Sequence, residues 1–496
     1  MASPSPFHID WFQSWWLVNL GGWLHIEISA DDQQVTEYDQ DSQLSLDINK
    51  LAKSLRADME MLQFFSDQCC IYRAPVRLRE SNEKIFTPQV VSLGPLHHGK
   101  EELKAMQEHK ILYLQDFLEW SEASMKELIR VVEERETELR NCYAETIDLG
   151  SEDFVKMMLL DASFIIVVLL KGCGVGFGSS NDRMFNKPWM LSDILLDMCL
   201  IENQLPFFIL EDLLKASRIS RYSPAEVEYS LIELTYKFFE ERRGSWILKK
   251  GILEEIDPSE VAHFVDFLRK CQLPSESDRT EKELETTNVP SITELHQAGV
   301  KFRFKPGKSL LDMKFDRGIL EMPILRIDDD TEILFRNLQV FEQCHCHEEY
   351  IANYISMINC LVITPKDVEI LVRNGIIDNW IHDYQAVTSL LHNISKQNSL
   401  TADDFIFASL VKDLKAYCRR PWNKWKATLK QEYFHTPWAI ISIIASLILL
   451  ILTMVQTVCS IYYASVASRI SIKCSMDLDC CVINACFFHV LFFSLN

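Results

Sequence analysis

Two groups of Cys and His residues could do chemistry. Cys344-His345-Cys346-His347 offers thiol and imidazole ligands, and zinc binds four such ligands arranged as a tetrahedron. On a helix, however, consecutive side chains point in different directions, so that only Cys344 and His347 would share a face. A site completed by Cys360 is one hypothesis, but a fortuitous helix end explains the group more simply. We therefore predict no metal and no cofactor.

A second candidate is the pair His97-His98, in a loop rich in Pro and Gly, with His109 nearby. An imidazole in such a loop could act as a general base or bind a metal. No paired Cys or carboxylate stands at ligand spacing, so the sequence favours a structural loop.

The most distinctive polar cluster is Glu202-Asn203-Gln204-Leu205-Pro206. Pro206 breaks the helical pattern of residues 190–215, and amide side chains next to the break could satisfy the freed backbone groups. The sequence favours a buried helix junction, with a ligand or partner pocket as the alternative.

Further motifs give no catalytic constellation. Asp328, Asp329 and Asp330 could bind a cation, but capping of a helix N-terminus accounts for them more simply. The alternating glycines 172, 174, 176 and 178 match neither a dinucleotide-binding fingerprint nor a Walker loop. There is no G-x-S-x-G elbow and no recognisable Cys–His context. We predict no catalytic residue and no enzyme.

The element that organises the chain is the uncharged stretch 438–464. As a helix it would be about 40 Å long, enough to cross a hydrocarbon core of about 30 Å. Its Ser, Thr and Gln look scattered rather than gathered in the polar stripe of a buried helix. Trp438, Tyr462 and Tyr463 fit interfacial aromatic belts. The stretch therefore predicts a single transmembrane helix in contact with lipid.

Basic residues flank this stretch unequally. Seven Lys and Arg lie between positions 412 and 430, whereas only Arg469 and Lys473 follow it. By the positive-inside rule the large N-terminal part would be cytosolic, as in a tail-anchored protein. The bases either set this topology alone or also attract anionic lipid. Palmitoylation of cysteines 459, 474, 480 and 481 would need a cytosolic position, which this topology denies to those in the tail.

Composition limits the function classes. The 496 residues can form one large domain or two ordinary ones, and 48% hydrophobic residues allow a sizeable core. The formal net charge of −21 argues against nucleic-acid binding. The 15 Cys are too few for a disulfide scaffold, and a cytosolic domain would keep them reduced. The first thirty residues lack the basic start of a secretory signal.

Periodicity predicts a mainly α-helical fold. Helical spacing recurs at residues 44–67, 101–141, 154–170, 190–215, 225–240, 258–270, 328–342, 349–361, 366–374 and 401–434. Residues 154–170 are apolar nearly all round and predict a buried helix. Alternation between residues 302 and 324, with a turn at Asp316-Arg317-Gly318, predicts a small antiparallel hairpin or three-stranded element. Pro323 would place the last strand at an edge. Short extended pieces are expected at residues 71–72 and 90–93, and a polar loop at 274–287.

Six phrases together resemble a plant family, the domain of unknown function 247. They lie at residues 71–99 (IYRAPVRLRESNEKIFTPQVVSLGPLHHG), 198–214 (MCLIENQLPFFILEDLL), 291–304 (SITELHQAGVKFRF), 310–344, 367–380 (DVEILVRNGIIDNW) and 433–458. The resemblance covers roughly residues 45–462. It implies a largely helical plant protein with one C-terminal membrane helix and no established catalytic activity. Some members are implicated in pollen–stigma recognition, a role not transferred here.

The chain departs from the family pattern at two places. Asp161-Ala162-Ser163-Phe164 stands where members usually have Asp-Gly-Cys-Phe, and the Cys-rich tail runs further than is usual. We expect an N-terminal extension at 1–43, a helical domain at 44–434, the span at 438–464 and an atypical tail at 465–496.

Three functions are weighed. The first is a membrane-anchored, non-enzymatic protein whose helical domain binds an unidentified protein in recognition or signalling. The second is a membrane-tethered hydrolase or transferase with a site near His97, His98 and Glu202. The third is a scaffold that forms homo-oligomers. In each of these three hypotheses, membrane lipid would contact residues 438–464.

Overall fold

The protein was analysed as a computed structural model. It describes residues 48–61, 68–79, 82–174, 182, 184–219, 230–243, 248, 251–274, 288–306, 309–396, 398, 405–420 and 437–474. The predicted extension 1–43, residues 275–287 of the predicted polar loop and residues 475–496 of the tail lie outside them.

The chain divides into two units, Met1–Phe64 and Phe65–Asn496. The first contributes one described helix, and the second holds everything else. In chain order the helices are α1 (Ile48–Met61), α2 (Val76–Arg79), α3 (Ala105–Trp120), α4 (Met125–Glu134), α5 (Glu136–Asn141), α6 (Ser151–Gly172), α7 (Pro188–Met198), α8 (Phe207–Ser217), α9 (Leu231–Arg243), α10 (Phe264–Lys270), α11 (Ile292–Gln297), α12 (Thr331–His345), α13 (Tyr350–Leu361), α14 (Pro365–Arg373), α15 (Tyr384–Ser395), α16 (Ala408–Cys418) and α17 (Pro437–Cys474).

Short 3₁₀ turns supplement these helices at Glu83–Phe86, Glu101–Leu103, Ile252–Glu254 and Pro258–Glu260. The mainly helical class is confirmed. Two predicted patterns are interrupted, however: residues 101–141 form a 3₁₀ turn and three helices, and residues 258–270 form a 3₁₀ turn followed by α10. Of the pattern at 401–434 the structure describes residues 405–420, and the helix there runs from Ala408 to Cys418.

Helix α6 is the centre of the first half of the second unit. Its side chains are buried almost all round because the segment is apolar on every face, as predicted. Helices α3, α4, α8 and α9 pack against it. In the second half, α12 is the central helix, and α10, α13 and α15 pack against it.

Five short strands form two small sheets. The strands are β1 (Lys301–Phe304), β2 (Lys314–Asp316), β3 (Ile319–Met322), β4 (Leu325–Ile327) and β5 (Ile377–Asn379). Strands β2 and β3 form the predicted antiparallel hairpin, and its turn has positive φ at Arg317 (47°) and Gly318 (81°).

The prediction that Pro323 places the last strand at a sheet edge is wrong. Strand β3 is central in the order β1-β3-β2, and Pro323 follows its last residue. Two further pairings were not foreseen: β1 runs parallel to β3, and β4 runs parallel to β5. Alternation marks residues as strand but does not set the direction in which two strands pair, and β5 lies well beyond the alternating segment, so neither parallel pair could be predicted from it.

The hairpin tip contacts α16, the last helix that the structure describes before the apolar stretch. Phe315 and Tyr417 of α16 meet edge to face, with ring centroids 5.4 Å apart. A Cβ atom on Gly318 would lie 2.6 Å from Tyr417 Oη, so this position has no room for a side chain.

Helix α17 contains a stretch, Ile441–Val466, that is long and apolar enough to cross a membrane. None of its most apolar part is buried against the rest of the described chain. Exposed side chains such as Leu449 and Leu452 would be unfavourable in water.

Candidate functional site

The Glu202-Asn203-Gln204 cluster lies in the turn between α7 and α8. All three side chains are fully buried, although none is apolar. A buried polar group must find hydrogen-bond partners or destabilise the fold, so the contacts of these three residues define what the cluster does.

Glu202 lies among basic groups. Its carboxylate accepts from the Ala74 backbone N–H at 2.8 Å and from the Arg79 guanidinium, and Arg73 Nη1 lies 3.4 Å away. His97 Nε2 is 3.2 Å from Glu202 Oε2, but this approach is not aligned as a hydrogen bond. One buried carboxylate thus holds the backbone at residue 74, two arginines and the loop at residue 97.

The two amides hold backbone groups. Asn203 Oδ1 accepts from Leu93 N–H at 2.6 Å, and its Nδ2 donates to Val91 O at 3.0 Å. Gln204 Nε2 donates at 2.7 Å to Met198 O, a carbonyl left free where α7 ends. The predicted role of these side chains at the helix break is therefore observed.

Two more buried acids hold the same loop. Asp197, at the end of α7, accepts from the backbone N–H groups of Gln89, Val90 and Val91, each at 2.8 Å. These contacts explain why residues 90–93 are ordered there without joining a sheet ladder.

The second acid is Asp161 of α6. It pairs with Lys110 of α3 and accepts from Gly94 N–H at 2.9 Å, and Lys110 Nζ also donates to Ser92 O at 2.6 Å. Lys110 and Asp161 are both buried. The sequence signal that could have paired them is a charge within an otherwise apolar helix face, which both positions share.

Gly94 allows the loop to approach the junction closely. Its φ is +73°, and a Cβ atom there would lie 2.7 Å from Tyr143 Oη and 2.8 Å from Gln204 O. Only glycine fits both this conformation and this contact. We call the assembly of residues 88–97 with Asp161, Asp197 and residues 202–204 the polar junction.

The electrostatics of the polar junction differ from acid to acid. Burial alone would raise the pKa of Glu202, but His97, the Ala74 N–H and Arg79 together lower this pKa below its usual value. Burial raises the pKa of Asp197 to about 6. Burial also lowers the pKa of His97, partly offset by Glu202, so His97 is neutral at pH 7.

Of the two candidate histidines, the structure brings only His97 into contact with Glu202. His98, next in the chain, is exposed, and His109 is half-buried on α3. His97 and Glu202 are themselves 1% and 0% exposed. A substrate would have to displace the loop to reach either group.

The Cys344–His347 candidate lies at the end of α12, which stops at His345. The His345 ring stacks on Phe341, with centroids 5.0 Å apart, and its Nδ1 lies 3.1 Å from Tyr72 Oη. Within the described ranges no group of three or more His, Cys, Asp and Glu is arranged to hold a metal ion.

The acids at 328–330 act at the start of α12. Asp328 N–H donates to Thr331 Oγ1 at 2.8 Å, and Thr331 Oγ1 in turn lies 3.0 Å from Asp328 Oδ1. Both contacts stay between Asp328 and Thr331, and the N-cap residue Asp330 makes no side-chain hydrogen bond to a backbone N–H of α12, so the structure does not bear out capping of this helix by the three acids. Gly176 and Gly178 of the glycine alternation lie outside the described residues.

These features define a class of mainly helical protein in which each half of the second unit packs around a buried helix. Buried polar side chains bind backbone groups, and among the described residues one exposed apolar helix lies near the C-terminus. The family profile described as "Plant protein of unknown function", domain of unknown function 247, matches residues 71–452. The chain belongs to this plant family.

Two relatives from Arabidopsis thaliana support the assignment. A UPF0481 protein is 32% identical over 429 residues, covering 80% of this chain and 87% of its own. A second UPF0481 protein is 22% identical over 504 residues, covering 82% of this chain and 92% of its own. No solved structure matches the chain significantly.

Proposed function

We propose that the chain is a membrane-anchored, non-enzymatic plant protein whose helical domain binds another protein. The exposed apolar stretch of α17 supports the anchor, because water would not stabilise it and the described body does not cover it. The polar junction supports the absence of catalysis: its carboxylates and the N–H groups of its amides are engaged with backbone groups, Lys110 and arginines. The net charge of −21 makes a nucleic-acid partner unfavourable.

The observation that carries the binding role is an exposed tryptophan held in one position. Trp380 follows β5 and is 56% exposed. Its indole N–H donates to Asp378 at 2.8 Å, its backbone N–H donates to Ile327 O at 2.9 Å, and the Arg326 guanidinium lies 4.2 Å above its ring.

Such a residue suits protein recognition. Trp and Arg are enriched among the residues that contribute most to protein–protein affinity. Because Trp380 is already fixed by three contacts, a partner would bind it with little further loss of side-chain entropy. We place the partner surface around Trp380 and Arg326.

The test is proximity labelling in plant cells, with the labelling enzyme fused to the N-terminus of the full chain. We expect a reproducible set of labelled neighbours that Trp380→Ala strongly reduces, since a central tryptophan contributes about 2 kcal/mol or more, roughly thirtyfold in affinity. Trp189→Ala is the matched control, because Trp189 is also exposed (57%) but lies on α7. Identical neighbour sets in all three chains, or none beyond bulk membrane proteins, would refute the proposal.

We also propose that the body is cytosolic. The bases of α16 and the segment after it, among them Lys412, Arg419 and Arg420, precede the apolar stretch and support this orientation. Protease treatment of sealed microsomes should digest the body. Protection of the body would reverse the orientation.

The second candidate is a membrane-tethered hydrolase or transferase. The observation in its favour is the His97–Glu202 contact, since a carboxylate beside an imidazole can orient a general base. Membranes holding the full chain would be assayed with ester and phosphate-ester probes. Turnover that His97→Gln removes and His98→Gln leaves would favour this candidate over the first.

A further inference from the structure

One face of α17 carries nearly all the polar side chains of the apolar stretch. Because the segment is one continuous helix, spacing along the chain translates directly into position around it. Counting alternately four and three residues from Ser442 gives the series Ser442, Ser446, Leu449, Thr453, Gln456, Ser460 and Tyr463. We call this series the seam.

The seam has the spacing of a coiled-coil contact. Steps of four and three residues repeat every seven and keep one face turned toward a neighbouring helix. Of the Ser, Thr and Gln residues between 441 and 463, Thr457 alone falls outside the seam, and it lies beside Thr453. The distribution that looked scattered in the sequence is a single stripe on the helix.

Two hydroxyl groups of this face donate hydrogen bonds within the helix. Ser446 donates to Ser442 O at 2.8 Å, and Thr453 donates to Leu449 O at 2.6 Å. They need no outside partner, and their small size lets another helix approach closely.

Gln456 is different. Its carboxamide has two donors and an acceptor, lies near the middle of Ile441–Val466, and makes no hydrogen bond to any part of the chain that the structure describes. In hydrocarbon, an amide without a partner is costly, and only another polar group at the same depth can satisfy it.

A second copy of this chain meets that need. A carboxamide is complementary to itself, since each can donate to the oxygen of the other. Two parallel copies also place Gln456 at equal depth, with Ser446, Thr453 and Ser460 facing their counterparts. We infer that α17 forms a parallel homodimer through the seam, with Gln456 paired across the interface. This inference rests on the proposed anchor.

The test uses the full chain with an N-terminal donor or acceptor fluorophore in phosphatidylcholine vesicles at several protein-to-lipid ratios. Energy transfer above the level of random proximity is expected. Gln456→Leu should weaken dimerisation about tenfold, because it removes two interhelical hydrogen bonds that are each worth about 0.6 kcal/mol or more in lipid. Gln456→Asn should keep most of it. Met454→Leu, an apolar change off the seam, should leave it unchanged.

The outcomes are distinct. Release of the chain from vesicles by alkaline carbonate would overturn the anchor, and the dimer with it. Retention without energy transfer would overturn the dimer alone, and would assign the seam to a helix of another protein. Equal transfer in wild type and Gln456→Leu would overturn the role of Gln456.

Discussion

Two buried glutamates show how the protein handles charge in its interior. The side chains of Glu202, in the polar junction, and Glu342, on α12, are both fully buried. Glu342 accepts from Arg269 Nε at 2.9 Å and from the backbone N–H groups of Ile351 and Ala352 at the start of α13. Both acids therefore bind backbone and arginine, yet their pKa values move in opposite directions.

The difference lies in the number of positive groups. Burial raises the pKa of Glu342 to about 7, because one arginine and the backbone groups offset only part of the cost of desolvation. Glu202 has two arginines close by, the neutral His97 imidazole and the Ala74 N–H also favour its charged form, and its pKa falls below the usual value. Charged Glu202 therefore stabilises the fold, whereas charged Glu342 costs stability.

The largest effect is expected for Glu202→Gln, which leaves Arg79 and Arg73 without their buried counter-charge. The free energy of unfolding of the detergent-solubilised full chain should fall by up to about 5 kcal/mol at pH 7. Because the folded pKa of Glu202 is lowered, its stabilisation is present above its usual value of 4.5 and is lost below it. The loss caused by the substitution should therefore shrink in acid. A loss below 1 kcal/mol at pH 7 would contradict this account.

Lys110→Met tests Asp161, a buried acid whose counter-charge is a single lysine. The substitution leaves Asp161 buried without its counter-charge, and we expect a loss of about 4 kcal/mol at pH 8. Burial already raises the pKa of Asp161. The loss should diminish toward pH 4, where the acid becomes protonated. Adding Asp161→Asn should restore part of the stability, and a double variant no better than Lys110→Met would count against the pairing.

The smallest effect is expected for Glu342→Gln, the same chemical change as at Glu202. In wild type the folded state keeps the Glu342 proton up to a higher pH than the unfolded state. The free energy of unfolding should therefore decline by roughly 3 kcal/mol as pH rises from 4.5 through 7 and this proton is lost. The variant should lack this decline and should be no less stable than wild type at pH 8. Unfolding measured from pH 4.5 to 8 would check it. If Glu342→Gln loses as much as Glu202→Gln, the comparison between the two glutamates is wrong.

Sequence predicted the elements better than it predicted the contacts between them. The apolar run of α6 and the break at Pro206 could be read locally, because periodicity and proline act within one segment. The parallel pairing of β1 with β3 could not, since alternation marks residues as strand without setting the direction in which two strands pair. The pairing of Lys110 with Asp161 was missed because it joins two helices that are separate in sequence.

The polar junction was predicted in part. Gln204 and Asn203 were expected to bind freed backbone groups, and they do. The prediction missed Asp197, because nothing in its local sequence shows that three amide groups of residues 89–91 converge on it. Long loops held by distant acids leave little trace in periodicity.

The contact of Tyr417 with the hairpin tip has a mechanical consequence. Helix α16 is the last described helix of the body before α17, so in a tethered chain any pull from the bilayer enters the body there. Phe315 and Gly318 would bear that load first, because both touch Tyr417. Stretched by its anchor, the molecule should begin to yield at this joint, while the core around α6 stays intact.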